Sequence, residues 1–524
     1  MTLVVRGAMH RNSYRDSVEL MGIAAQLEQL TGIQRAGLVM ATPANLAVLA
    51  EAGLSEAAAE GAGPNDLVVA VAALDAIAAD GALGKAATLL TEGTGGEGTP
   101  QETRAAQTLG EALAELPDAN LALVSTPGTY ATAEALRALK RGLNVFLFSD
   151  NVPIEDEIEL KALADERGLL VMGPDCGTAI VAGVPLGFAN AVRRGPIGLV
   201  GASGTGLQQV TSLIHRFGSG VSHAFGTGGR DLDERVGGMT MLAAFGQLLA
   251  DPATEVIVLI SKPPSPTVAT RILEAVRSSP KPVVVNFLGG DPEAVLAVGA
   301  HPAATFEAAA RLAVALADGE PVLPGAAGPA PGSGDPHLAR QGGDAAARLA
   351  TGQTAIRGLF SGGSLAGEAK LVLASILGVE RHDEILDLGD DEYTVGRPHP
   401  MIDPRLRNEY ITATAEEPGV GVLLLDVVLG YGSHPDPAEA LAPAIADATA
   451  LATSAGRHLL VVASVCGTDL DPQGLARQER ILAQTGVMLE SSNARAAMLA
   501  AFIAAEADRI ATGVPGLPLV GAAD

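Results

Sequence analysis

The hydrophobic positions of this chain form short apolar runs that alternate with stretches of helical spacing. The runs Val256–Ile260 and Val283–Phe287 are typical of buried strands. After Gly206, apolar residues recur every three or four positions, which predicts an amphipathic helix. Strands alternating with helices indicate a parallel, doubly wound α/β sheet. Ligands bind such sheets at the carboxyl ends of the strands.

The same pattern predicts several modules and an internal duplication. Residues 1–91 form a small α/β unit, a new alternation begins at Leu121, and another module begins near Pro196. Gly- and Pro-rich stretches at 91–100 and 318–343 predict linkers. After the second linker, strand order, spacing and a Gly/Ser turn repeat. The predicted strands are Leu3–Arg6, Ala36–Ala41, Leu67–Ala72, Leu121–Ser125, Asn144–Phe148, Leu169–Met172, Ile197–Val200, Val221–Phe225, Val256–Ile260, Val283–Phe287, Ala355–Phe360, Ile385–Leu388, Val420–Asp426, Leu459–Ala463 and Val487–Glu490.

Two strand–turn–helix units carry turns that suit an anion. They read IGLVGASGTG over 197–206 and IRGLFSGGSLAG over 356–367. Glycines let the backbone approach a ligand closely, and the following helix start offers unpaired N–H groups with a partial positive charge. Tight turns without a ligand are the alternative. The candidate phosphate or substrate residues are Ser203, Gly204, Thr205, Gly206, Ser361, Gly362, Gly363 and Ser364.

Two further loops follow predicted strands. In GPDCG, Asp175 and Cys176 are candidate substrate-binding residues, although a turn-capping Asp175 and a buried Cys176 explain the motif equally well. In SKPPSP, Lys262 is a candidate to bring a positive charge into the cleft, and a solvated surface lysine is the alternative. Both loops leave the carboxyl edge of a predicted sheet, where ligands gather.

The most polar candidate loop is VGRPHPMIDPR over 395–405, which three prolines stiffen. Arg397 and Arg405 are candidates to bind a carboxylate or a phosphate through two parallel hydrogen bonds. His399 is the candidate to move protons near neutral pH. A structural loop with surface ion pairs is the alternative.

Composition narrows the possible functions. The 524 residues are too many for one core, and 48% hydrophobic with 18% charged residues is typical of a globular protein. A net charge of -26 argues against nucleic-acid binding. Two distant cysteines, no signal-peptide pattern and no membrane-length apolar run predict a cytoplasmic protein. Histidines and cysteines show no metal-ligand spacing, and no GxGxxG motif indicates a nicotinamide cofactor.

The chain resembles the FdrA family, whose members are relatives of succinyl-CoA synthetase. The resemblance rests on GPNDLV, LFSDNVP, MGPDCGT, GASGTG, SKPPSP and GRPHPMIDP, and it runs along nearly the whole chain. It implies a small α/β domain at 1–91 and a Rossmann-like CoA-binding-type domain at 116–190. It also implies two flavodoxin-like ligase domains, an α-subunit-like one at 196–318 and a β-subunit-like one at 345–510. The two ligase domains of the synthetase meet around a shared active site.

The departures from succinyl-CoA synthetase bear on the chemistry. The synthetase carries its phosphoryl group on a histidine loop that this sequence lacks after Val283–Phe287, and His301 falls beyond that position. Lys262 aligns with the glutamate that supports the phosphohistidine. The ATP-grasp domain and the early Gly-Ser-Thr-Gly CoA signature are also missing. The resemblance therefore leaves CoA binding open and implies phosphate or carbamoyl phosphate as a substrate.

For the function, the resemblance implies one subunit of a hetero-oligomeric oxamate carbamoyltransferase of allantoin breakdown, acting on small anions. That enzyme converts oxalurate and phosphate into oxamate and carbamoyl phosphate. Lys262 and the helix starts would stabilise charge on phosphate, His399 would act as general acid or base, and Arg397 or Arg405 would clamp a carboxylate. Two alternatives stay open: an NDP-forming acyl-CoA synthetase that uses an ATP-grasp partner, and a scaffold or regulatory subunit without catalysis.

Overall fold

The computed structural model describes residues 3–13, 15, 17–42, 45–46, 49–50, 52–54, 61–92, 106–322, 335–378, 383–394 and 398–513. The chain divides into two compact units. The N-terminal unit comprises Met1–Ala105 and Asp391–Pro398. The main unit comprises Ala106–Asp390 and His399–Asp524.

The N-terminal unit contains a three-stranded antiparallel sheet with the order β1-β3-β2. All seven residues of the central strand β3 are buried, because apolar clusters cover both faces of the sheet. One cluster includes side chains of both helices. The elements are β1 Val4–His10, α1 Ser17–Glu28, β2 Ile33–Met40, β3 Leu67–Ala73 and α2 Ala76–Glu92.

The main unit begins with a small parallel sheet of order β4-β5-β6, which α4 and α5 flank. Its buried side chains come from alternating strands and helices, as the apolar pattern predicts. The elements are α3 Leu109–Glu115, β4 Leu121–Val124, α4 Gly128–Lys140, β5 Asn144–Leu147, α5 Ile154–Glu166 and β6 Val171–Met172.

The first large module is a seven-stranded sheet with the order β13-β12-β11-β9-β10-β7-β8. Strands β9 to β13 run parallel, and the hairpin β7–β8 adds an antiparallel edge. The elements are β7 Thr178–Val181, β8 Val184–Gly187, β9 Arg194–Gly201, α6 Gly204–Arg216, β10 Val221–Gly226, α7 Met239–Ala250, β11 Val256–Ser261, α8 Pro266–Arg277, β12 Val283–Phe287, α9 Pro292–Leu296, β13 His301–Pro302 and α10 Phe306–Ala317.

The second large module is a five-stranded parallel sheet with the order β15-β14-β16-β17-β18. The elements along this part of the chain are α11 Pro336–Ala346, β14 Ala355–Phe360, α12 Gly363–Leu377, β15 Glu384–Asp387, α13 Asp391–Thr394, α14 Arg405–Thr414, β16 Val420–Val428, α15 Pro437–Ser454, β17 Leu460–Cys466, α16 Leu475–Gln484, β18 Met488–Glu490 and α17 Asn493–Thr512.

The two large modules share one topology. When β9–β13 and β14–β18 are each counted from one to five, both sheets have the order 2-1-3-4-5. This is the flavodoxin-like order, whose ligands bind at the carboxyl ends of the first and third strands. The turns GASGTG and SGGS follow the first strand of each module. The predicted fold class and duplication are therefore confirmed.

The two modules also share one hydrophobic core. Side chains of α6 and α10 from the first module pack in the same buried cluster as those of α12 and α17 from the second. Phe306 and Leu365 are both fully buried in this cluster. Among the described residues, no helix combines the length and the hydropathy that crossing a membrane requires.

One predicted linker was wrong at its end, and three strands were not predicted. The stretch 318–343 was predicted as linker, yet α11 begins at Pro336. The Asp335 carboxylate caps this helix by accepting hydrogen bonds from His337 N and Leu338 N. The missed strands β7, β8 and β13 have only two to four residues each. Residues 93–100 and 323–334 of the predicted linkers lie outside the described residues.

Candidate active site between two helix starts

The two predicted anion turns meet in the structure. Ser203 Oγ donates a hydrogen bond to Ser364 Oγ at 2.6 Å, which joins the start of α6 to the start of α12. Ser203 is the N-cap of α6, and its Oγ accepts a hydrogen bond from Gly206 N at 3.0 Å. The turns of the two modules therefore present hydroxyl groups and helix starts at one place.

Glycines allow this close approach. A Cβ added to Gly362 would lie 2.8 Å from Thr205 Cγ2, which shows that the two turns are in van der Waals contact. A Cβ added to Gly206 would overlap Ser203 Oγ and would disrupt the N-cap. Thr205 and Ser364 are both buried, with 8% of each residue exposed. The Gly/Ser pattern of the sequence thus reflects contact between the two modules.

A buried ion pair supports the second turn from below. The Asp426 carboxylate, at the end of β16, accepts hydrogen bonds from Ser361 N at 2.8 Å and Gly362 N at 2.9 Å. Arg407 Nη2 donates to Asp426 Oδ1 at 2.9 Å and to Leu359 O at 2.8 Å. Both charged side chains are buried. Burial lowers the pKa of Arg407, and the Asp426 charge opposes that shift.

A second carboxylate lies at the start of α12. Asp387 ends β15, and its Oδ1 accepts a hydrogen bond from Gly389 N at 3.0 Å. Its Oδ2 lies against Gly363, where an added Cβ would overlap it. Burial raises the pKa of Asp387, and the positive charge of Lys262 lowers it. The exposed Lys262 follows β11, so a cation of the first module acts on a carboxylate of the second.

The GPDCG loop reaches the first helix start through the residue that follows it. A Cβ added to Gly204 would lie 3.4 Å from Thr178 Oγ1, which donates a hydrogen bond to Phe188 O at 2.7 Å. Asp175 is exposed and has a positive φ of 55°. Cys176 is 1% exposed, and burial raises the pKa of its thiol to about 12. This burial speaks against a Cys176 thiolate that contacts a ligand.

His399 lies beside the second turn in its neutral form. Its ring packs 5.9 Å from the Phe188 ring, and its Nε2 approaches Gly389. Burial lowers the pKa of His399 to about 4. Its Nδ1 accepts a hydrogen bond from Met401 N at 3.2 Å, which assigns the proton of the neutral ring to Nε2. At neutral pH the ring therefore offers an N–H donor and holds no charge.

The two candidate arginines differ in what can be said of them. Arg405 is exposed at the first position of α14, and its Nε donates to Asp403 Oδ2 at 2.8 Å. Asp403 thus already occupies the guanidinium that was predicted to clamp a substrate carboxylate. Arg397 lies outside the described residues, and its role stays a prediction.

Sequence reasoning missed three charged residues of this region: Asp387, Arg407 and Asp426. Each carboxylate follows or ends an apolar strand at the sheet edge where ligands bind. That position was the available signal. Arg407 gave none, because it lies only two residues beyond Arg405 in the same helix, yet it points into the protein.

A small cavity behind the second turn shows where a substrate does not fit. Its volume is about 10 Å³, which has room for a single water. Ser361, Arg407 and His434 are among the residues that line it. Phosphate is larger than this space, so an anion at this site binds on the open side of the helix starts.

Comparison with known families identifies three matched segments. The CoA-ligase model matches residues 359–503, the CoA binding domain model matches 192–289, and the model for the AllF heavy metal-associated domain matches 1–107. The second match lies in the predicted first ligase domain. The assignment of 116–190 as a CoA-binding-type domain stays a prediction.

Similar proteins fall into two groups. The chain is 42% identical over 514 residues to YahF of Escherichia coli (strain K12), with 93% of this chain and 96% of YahF covered. It is 31% identical over 150 residues to the mitochondrial succinate–CoA ligase [ADP-forming] subunit alpha-2 of Trichomonas vaginalis, with 28% of this chain and 47% of that subunit covered. An ATP citrate lyase structure from Methanothrix soehngenii, with citrate and coenzyme A, is 18% identical over 40% of each chain; its TM-score of 0.35 carries no argument.

Two flavodoxin-like modules with CoA-ligase and CoA-binding matches define the class, an α/β protein similar to the succinyl-CoA synthetase α-subunit. The match to YahF extends over almost the whole of both chains. The chain therefore belongs to the FdrA-like family, and the resemblance found in the motifs is confirmed.

The family model for residues 1–107 raises the question of a heavy metal. Thiolate and imidazole are the ligands that soft transition metals prefer. Residues 1–107 contain one histidine, His10, and no cysteine. Within the described ranges, no three His, Cys, Asp or Glu side chains are grouped closely enough to hold a metal ion. These residues do not fit a heavy-metal site.

Proposed function

We propose that this chain is a subunit of an oxamate carbamoyltransferase, which converts oxalurate and phosphate into oxamate and carbamoyl phosphate. The observation that carries the proposal is the contact of two helix starts through Ser203 and Ser364. Helix starts attract anions through N–H groups and the helix dipole. Every substrate and product of this reaction is a small anion.

Lys262 supplies the cation that the reaction needs. Its charge acts on Asp387 at the start of α12, which supports a position near the reacting groups. Phosphate attack on the carbamoyl carbon builds negative charge on oxygen. A fixed cation and two helix dipoles stabilise such charge in the transition state.

His399 acts in this proposal as a hydrogen-bond donor. Its low pKa leaves the ring neutral at pH 7, and its Nδ1 is occupied by Met401 N. An Nε2–H group orients a carbonyl or phosphate oxygen but accepts no proton there. Substrate carboxylate binding is left to Arg397, because Arg405 is paired with Asp403.

The direct test is phosphorolysis of oxalurate by the chain together with the subunits that copurify with it. Formation of oxamate and carbamoyl phosphate, dependent on inorganic phosphate, is the expected result. Lys262→Ala should lower kcat about 100-fold, because an electrostatic contact to the transition state is lost. Lys370→Ala is the matched control, since Lys370 is an exposed lysine well inside α12. Absence of turnover by the unmodified complex would refute the proposal.

An NDP-forming acyl-CoA synthetase that borrows an ATP-grasp partner is the second candidate. The matches to CoA-ligase and CoA binding domain models favour it. It predicts CoA binding and an acid-labile phosphoryl label on this chain after incubation with labelled ATP and partner. Unchanged activity of the complex after Lys262→Ala and His399→Ala would instead indicate a scaffold or regulatory subunit.

A further inference from the structure

The proposed reaction, on which this inference rests, requires a proton to move. The carbon–oxygen bond to phosphate forms, the carbamoyl carbon–nitrogen bond breaks, and the electron pair goes to the oxamate nitrogen. HPO₄²⁻ loses one proton, and that nitrogen gains one. An amide nitrogen leaves poorly without protonation, so a residue that carries the proton accelerates the step.

The candidates predicted from the sequence do not provide such a group. His399 is neutral with its proton on Nε2 and with Nδ1 accepting from Met401 N. Cys176 is buried with a raised thiol pKa. Lys262 serves as the cation that faces the anion. A carboxyl group at the same place is therefore the next residue to consider.

Asp387 has the required position. It ends β15 at the carboxyl edge of the second module, where it pairs with Phe360 directly before the SGGS turn. One carboxylate oxygen is fixed by Gly389 N at 3.0 Å, and the other lies against Gly363, the first residue of α12. Asp387 is partly exposed, whereas Asp426 beneath the turn is fully buried and paired with Arg407.

We propose that Asp387 is the acid–base residue of this site. Its carboxyl group donates a proton to the oxamate nitrogen as the carbon–nitrogen bond breaks. The resulting carboxylate takes up the proton that the attacking phosphate releases, which restores Asp387 and balances the reaction. The two helix starts then have different tasks, the α6 start holding the anion and the α12 start exchanging the proton.

The surroundings of Asp387 favour a proton-exchanging carboxyl group. Burial raises its pKa, and the negative charges of Asp426 and Asp390 raise it further, while Gly389 N and Lys262 lower it. A purely structural role at the start of α12 would favour a permanently charged carboxylate, because the helix dipole is stabilised by a negative charge.

The test is the pH profile of oxalurate phosphorolysis at saturating phosphate. The unmodified complex should lose activity as pH rises through the pKa of Asp387, because the proton-donating form disappears. Asp387→Asn should lower kcat roughly 10²- to 10⁴-fold and abolish this limb of the profile. Asn still accepts the hydrogen bond from Gly389 N, so the fold is preserved. Asp387→Ser provides a second variant if Asn proves unstable.

Asp390→Asn is the matched control, a neighbouring exposed carboxylate three residues further. It should keep kcat and shift the limb to lower pH, because one like charge near Asp387 is removed. An Asp387→Asn complex with normal kcat and an unchanged profile would overturn the inference and leave the proposed function intact. An unmodified complex without turnover would overturn both.

Discussion

The two large modules have the same strand order, yet their helix starts differ in charge. The start of α6 is built from hydroxyl groups, with Ser203 as N-cap and Thr205 in its first turn. The start of α12 is built on carboxylates, with Asp426 beneath the turn and Asp387 beside it. Backbone topology was therefore retained in both copies, while the side chains around equivalent turns diverged.

This difference shows how a duplicated scaffold can serve one site with two chemistries. A neutral helix start retains its attraction for an anion. A helix start with carboxylates satisfies part of that attraction internally and gains titratable groups. The shared core and the Ser203–Ser364 hydrogen bond bring the two starts together, so one substrate can contact both.

The largest effect is expected from the ion pair that only the second module has. Arg407→Ala leaves the buried Asp426 without its cation and should lower the free energy of unfolding by about 3–5 kcal/mol. Arg405→Ala removes an exposed ion pair in the same helix and should cost at most about 1 kcal/mol. Urea unfolding of both variants measures the contrast. Equal losses would contradict the role given to Asp426.

The next effect concerns the contact that joins the modules. The buried Glu368 accepts hydrogen bonds from Phe306 N at 2.6 Å and Asn493 Nδ2 at 2.8 Å. Burial raises its pKa from 4.5 to about 7. Because folding raises this pKa, the stabilisation is complete below pH 4.5 and is lost as pH rises to about 7, by about 3 kcal/mol.

Glu368→Gln stays uncharged, so its stability should vary less over that pH range than that of the unmodified chain. Urea midpoints measured at pH 5 and pH 8 give the comparison directly. An identical pH dependence in the two proteins would show that Glu368 does not titrate at the module interface.

A smaller effect tests the closest approach of the turns. Gly362→Ala places a methyl group 2.8 Å from Thr205 Cγ2 and should cost about 1–3 kcal/mol by overpacking. Thr205→Ala in the same chain should recover part of the loss, because it removes the nearest atoms. Gly367→Ala is the control, since its new methyl group meets nothing within 4 Å and favours the helix. Thermal midpoints without any rescue would argue against contact of the turns.

The elements of this fold could largely be predicted from the sequence, because long apolar runs end at clear turn signals. Val283–Phe287 and Ala355–Phe360 have the predicted bounds. The turns were predicted as anion sites from their Gly/Ser content alone. Helix α11 was missed because its Asp-Pro start lies in a Gly/Pro-rich stretch.

The charges of the site could not be predicted in the same way. The effect of Lys262 on Asp387 depends on two modules meeting, and sequence spacing holds no information on that distance. The burial of Arg407 beside the exposed Arg405 depends on which face of α14 packs inward. Such features are set by tertiary contacts, whereas strands and turns are set locally.

The central claim is that two helix starts from different modules hold one oxyanion together. Isothermal titration of the complex with inorganic phosphate, for the unmodified chain, Ser203→Ala, Ser364→Ala and the double variant, tests it most directly. Each single change should weaken phosphate binding about tenfold, since a hydrogen bond to a charged group is lost. The double variant should be weakened by less or more than the product of the two, because the hydroxyl groups contact each other. Unchanged affinity in either single variant, or strictly independent effects, would contradict the claim.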